Sequence, residues 1–286
     1  MKRNEKWKDF FRLVRVYLLI FLASNFMVPL VFAVLFGFDS VSKSSLYIST
    51  INQILVIAGI GYFSYEKKNE IIIERVFAWN NSLLEKVIGL IYGVLIFYMI
   101  KIISDGLQWI GIGITGSLDW VPYGNSSLEW KDFFIALILL AVVPALCEEL
   151  FYRVVAYQYL KDFCFFNVVL ISSLLFGMAH IFSGVFSVMR AMVLGCILMG
   201  IYCKRQKYWE VVSFHFLYNM LELLHTSQIK LPTDCSYIVT RANSMAECIF
   251  WGLIYLCIGI GIIILAIAIY GCIKVLDRKK QKNMSI

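Results

Sequence analysis

The chain has 286 residues, 60% of them hydrophobic, with a mean hydropathy of +0.78, the values of a polytopic membrane protein rather than a soluble globule. Its net charge of +7 does not point to nucleic acid, because the Lys and Arg residues collect in short segments between apolar runs, where they act as topology signals. Eight cysteines, with no Cys-x-x-Cys pair among them, indicate neither a disulfide framework nor a zinc knuckle.

Windows of about 20 apolar residues predict an all-α polytopic membrane protein with about eight transmembrane helices, at 13–37, 45–65, 86–104, 131–160, 165–182, 185–203, 208–226 and 247–273. Met1-Lys2-Arg3 and the apolar stretch behind it imitate a signal peptide. The stretch is too long for one and lacks a small-residue cleavage site, so it reads as the first span. Between spans two and three, Ile71-Ile72-Ile73 and Val76-Phe77 interleave with Glu74 and Arg75, as in an interfacial amphipathic helix or a solvated connector. After span three, Gly111-x-Gly113-x-x-Gly116 is formally a dinucleotide fingerprint. No strand precedes it and no βαβ unit surrounds it, so 105–129 reads as an extracytoplasmic loop. With the amino terminus inside, Lys and Arg favour the inner segments by about three to one, the outer side holding only Lys43, Lys101, Lys131, Arg190, Lys230 and Arg241. Both termini are therefore expected in the cytoplasm.

Span four contains Glu148-Glu149-Leu150-Phe151-Tyr152-Arg153 at membrane depth. Ionisable groups there cost roughly 2.5–3.5 kcal/mol each on insertion scales and mark function by default. Glu149 and Arg153, four apart, share a helix face and can pair. Glu148 is turned about 100° away and must be satisfied from elsewhere. Span five ends in Phe176-Gly177-Met178-Ala179-His180, and span seven carries His215 and Asn219 on one face. Spans four and five form a hairpin about Cys164, which sets Glu148 and His180 level, each roughly 24 Å from the turn. His215 lies only roughly 12 Å from the basic segment at 204–207, a mismatch that tilted helices or a projecting span four would remove. His225 falls on another face from His215, and Glu222 reads as a paired or solvent-facing acid.

Glu148-Glu149-x-x-x-Arg153, Phe176-x-x-x-His180 and His215-x-x-x-Asn219, in that order on successive spans, resemble the three motifs of the CAAX prenyl protease and bacteriocin-processing (CPBP, type II CAAX, ABI) family of intramembrane endopeptidases. The resemblance covers 131–226, a catalytic core of spans four to seven. It leaves 1–130 as three spans with an outer loop, and 227–286 as an outer loop, the last span and a basic cytoplasmic tail. Val154 departs from the glycine many relatives have after the arginine, a packing difference. The resemblance implies that Glu148 and His180 hold and deprotonate a water, that His215 and Asn219 donate to the oxyanion, and that Glu149 and Arg153 orient the site. Family members are usually described as metalloproteases. Glu148, His180 and His215 would supply a two-histidine, one-carboxylate set for zinc or another divalent metal, although no H-E-x-x-H is present.

The resemblance thus implies an endopeptidase acting on a membrane-associated peptide or tethered protein, with membrane lipid as its other partner. Short loops point to a bacterial cell membrane, and the resemblance to bacterial members of the family implies bacteriocin immunity or peptide maturation. The alternative is a non-catalytic scaffold or immunity protein binding a peptide in the same polar cavity. A proton or ion carrier fits less well, because the chain lacks the inverted repeat or broken helix pair of many transporters.

Overall fold

A computed structural model describes residues 2–37, 45–66, 83–116, 130–226 and 245–284. Among them every regular element is helical and none is a strand. Eight helices follow the eight apolar windows: α1 (residues 2–36), α2 (Ser45–Glu66), α3 (Leu83–Thr115), α4 (residues 130–160), α5 (Phe165–Met178), α6 (Val185–Arg205), α7 (Tyr208–Thr226) and α8 (Met245–Met284). Five of them, α1, α3, α4, α6 and α8, contain a stretch long and apolar enough to cross a membrane. α5 and the Thr50–Ile60 part of α2 are shorter apolar pieces. α7 falls outside both groups because Glu210, His215, Asn219 and Glu222 interrupt its apolar sequence. The amphipathic stretch at 67–82 and the loops at 117–129 and 227–244 lie outside the described residues, as does the side chain of His225.

Two helices change their winding where the sequence forces it. Pro29 and Pro144 lack an N–H, and their rings crowd the carbonyls four residues earlier, those of Asn25 and Leu140. Both carbonyls lie in π-helical turns, Ala23–Met27 in α1 and Leu137–Val142 in α4. A third π-helical turn, Leu150–Val155, carries Arg153, and the buried hydroxyl of Ser172 donates to the Tyr152 carbonyl within it at 2.6 Å. π-Turns inside α-helices recur at functional sites.

The chain divides into two compact units: residues 1–86 with 125–229, and residues 87–124 with 230–286. In the first, α4 packs against α1, α2 and α7, and α5 and α6 form a tight antiparallel hairpin. A Cβ on Gly195 would come within 3.1 Å of Ser173, so small residues set that close approach. The amino-terminal turns of α1 and the α4–α5 turn share one end of this unit. Trp7 meets Phe163 edge-on at 5.3 Å and Lys6 lies 4.9 Å from the same ring. Lys204 at the end of α6 sits 6.0 Å from the Phe165 ring. Three basic segments assigned by sequence to one side thus gather together. Polarity is inverted relative to a soluble protein: Phe11, Leu19 and Val34 are exposed, whereas Glu149, Arg153, Ser172 and Ser173 are buried.

In the second unit α3 and α8 cross at Gly106 and Gly252, where a Cβ on either would meet the other's carbonyl oxygen at 2.8 or 2.7 Å. Here the structure corrects one expectation. α3 does not stop near residue 104 but continues to Thr115, so Gly111 and Gly113 are helical rather than part of a loop. Lys101, counted with the outer side, lies buried in α3, 3.3 Å from Asp105 one turn on, and this internal pairing lets the helix run through both charges.

Candidate active site

Glu148 and Glu149 sit in consecutive positions of α4 and face different surroundings. Glu149 is fully buried: His215 Nδ1 is hydrogen-bonded to Oε1 at 2.8 Å, and Arg153 Nε makes an ion pair with Oε2 at 2.9 Å. An ionised carboxylate only accepts, so His215 Nδ1 is the donor and its Nε2 is turned to the other carboxylate, 3.9 Å from Glu148 Oε2. The second pair, Arg190 with Glu222 at 3.2 Å, joins α6 to α7 and gives Glu222 the partner its sequence context called for.

Glu148 is half-buried and lines a cavity of about 170 Å³, many times the space one water needs. His180 lines the same cavity. The helix of span five ends at Met178, short of the expected 182, and His180 occupies the turn that follows, at φ −101° and ψ 11°. A turn through Gly184, at φ +95°, a value L side chains rarely adopt, then starts α6. His180 Nδ1 lies 2.9 Å from the Phe176 carbonyl oxygen. A carbonyl accepts only, so Nδ1 carries the proton and Nε2 of the neutral ring keeps its lone pair.

The buried Phe176 ring underlies the whole constellation. It lies 4.8 Å from the Arg153 guanidinium, 5.0 Å from the His180 ring and 5.7 Å from the His215 ring, both imidazoles edge-on. Arg153 Nε, Nη1 and Nη2 make no hydrogen bond among the described residues, so the guanidinium is held by its ion pair with Glu149 and by the face of this ring. Tyr208 at the start of α7 donates to the Leu146 carbonyl at 2.7 Å. With the His215–Glu149 contact, this brings the first turns of α7 level with the Glu pair and removes the depth mismatch.

The structure therefore gathers Glu148, Glu149, Arg153, His180 and His215 in one place. Asn219 lies one turn beyond His215 on α7, half-buried; the residues lining the cavity include neither of them. Among the described residues no group of three His, Cys, Asp or Glu side chains is close enough together to hold a metal ion, and His215 does not line the cavity that Glu148 and His180 share.

Sequence reasoning passed over the opposite wall of the cavity, built by Tyr17, Ser24 and Asn25 of α1 and Asn52 and Gln53 of α2. Gln53 Nε2 donates to Glu148 Oε1 at 2.9 Å. The signal was present, since amides inside apolar windows are themselves unusual at membrane depth.

Residues 130–221 match the family model described as type II CAAX prenyl endopeptidase Rce1-like. This segment is similar to the Rce1-like CAAX endopeptidases. It covers about a third of the chain and contains Glu148, Glu149, Arg153, His180, His215 and Asn219. No match was found among curated proteins or among solved structures. α1 and α2, which complete the cavity around Glu148 and His180, lie outside the matched segment.

Proposed function

We propose that the chain is an intramembrane endopeptidase that hydrolyses a peptide bond in a membrane-associated peptide or tethered protein, with water activated by Glu148 and His180. One observation carries this reading: Glu148 and His180 line one cavity while Glu148 also stands 3.9 Å from His215. A water there donates one hydrogen to Glu148 and the other to the bare Nε2 of His180. Glu148 takes the proton as oxygen attacks the scissile carbonyl, then passes it to the leaving amine. His215 and Asn219 donate to the oxyanion. Because Nδ1 of His215 is committed to Glu149, the ring donates from Nε2 only when it carries both protons. Glu149 and Arg153 hold it in place. Their ion pair and the Phe176 ring fix the imidazole without touching the reacting atoms.

The reading includes eight spans, with α2, α5 and α7 crossing beside the five longer helices, and both termini in the cytoplasm of a bacterial cell. The gathering of Lys6, Lys161 and Lys204 at one end supports that orientation. Bacteriocin immunity or peptide maturation is the setting that the family resemblance offers. The test is cleavage of a library of N-palmitoylated peptides by the purified chain in liposomes, read by mass spectrometry. Wild type yields defined products, and Glu148→Ala and His180→Ala insert but yield none. Full cleavage by either variant removes the protease reading; protection of cells by Glu148→Ala assigns the function to binding.

A further inference from the structure

Gln53 is buried in α2, with 7% of its surface exposed, outside the matched segment. An amide in an apolar helix must be hydrogen-bonded to be tolerated. Its nitrogen is, to Glu148 Oε1 at 2.9 Å, a bond to the one carboxyl side chain among the residues that line the cavity. Its carbonyl oxygen is not: Gln53 Oε1 is enclosed with no hydrogen-bond partner among the described residues. An amide kept only for packing would satisfy both ends or be replaced by an apolar side chain. Here one end is left unpaired and the other is kept on Glu148.

We propose that Gln53 is a positioning residue for the hydrolysis described above. By occupying Oε1 it fixes the carboxylate rotamer and leaves Oε2, the oxygen 3.9 Å from His215 Nε2, as the one that takes the proton from water. The inference rests on the protease reading and extends the reacting apparatus to α2. A carboxylate free to turn would present its basic oxygen in the wrong place for part of the time, and a misplacement of about 1 Å costs about 10²-fold in rate.

The test uses the full chain in liposomes and an N-palmitoylated fluorogenic peptide that the wild type cuts. Gln53→Met keeps length and volume and removes the donor; Gln53→Asn keeps an amide that stops one methylene short. Each is expected to lower kcat about 10- to 100-fold with KM within about twofold, at unchanged thermal stability. In a Glu148→Asp background, whose shorter carboxylate lies out of reach of residue 53, Gln53→Met is expected to cost nothing further, because residues acting as one unit are not additive. Unchanged kcat, a loss confined to KM, or a loss that adds in full to that of Glu148→Asp overturns the role of Gln53 and leaves the protease reading standing. Full cleavage by Glu148→Gln overturns the protease reading and the role of Gln53 with it.

Discussion

Two buried ion pairs of the same spacing lie in this chain, and they differ in what surrounds them. In the second unit Lys101 and Asp105 face one another along α3, 3.3 Å apart and nearly inaccessible. In the first, Glu149 and Arg153 do the same along α4 at 2.9 Å, but the acid is also claimed by His215 from α7, and the neighbouring Glu148 is claimed by Gln53 from α2 and opens onto a cavity. A pair closed within one helix sets two charges against each other and leaves nothing poised. A pair whose members are drawn on by other helices fixes the position and protonation of a third group. Burial of charge alone therefore does not single out a site; convergence from separate helices does.

The contrast is sharpened by four substitutions. Glu148→Gln removes the proposed general base and is expected to reduce cleavage of the palmitoylated peptides by about 10²- to 10⁴-fold, with the protein still inserted and folded by detergent-solubilised size exclusion. His215→Ala removes the proposed oxyanion donor and is expected to cost about 10²- to 10³-fold in kcat. Glu149→Gln leaves the fully buried Arg153 without a counter-charge and is expected to destabilise by about 3–5 kcal/mol, read as a lowered midpoint of thermal unfolding, with activity falling too. The double replacement Lys101→Met with Asp105→Leu swaps an isolated buried pair for apolar side chains. It is expected to leave kcat within about twofold and stability unchanged or higher. A loss of activity there comparable to that of Glu149→Gln would erase the distinction between the two pairs.

Much of the site was legible because charges and imidazoles stand out against apolar windows: Glu148, Glu149, Arg153, His180 and His215 were all singled out, and the structure gathers them. The eight helices follow the eight windows for the same reason. What stayed hidden depended on partners far away in sequence. Lys101 and Asp105 look like the end of a span until their mutual pairing is seen, and so α3 was read about eleven residues short. Gln53 is one amide without a motif, and its meaning lies 95 residues away at Glu148. The level of His215 could not be found by counting residues, because the depth of α7 is set by contacts of Tyr208 and His215 with α4. His180 was placed on a helix that in fact ends two residues before it.

The central claim is that Glu148 delivers water to a peptide carbonyl, and isotope incorporation tests it most directly. Cleavage of the palmitoylated peptide in H₂¹⁸O, followed by mass spectrometry, is predicted to place one ¹⁸O in the new carboxylate with the wild-type chain and to form that labelled product at least about 10²-fold more slowly with Glu148→Gln. Labelled product formed at the wild-type rate by Glu148→Gln would contradict the account.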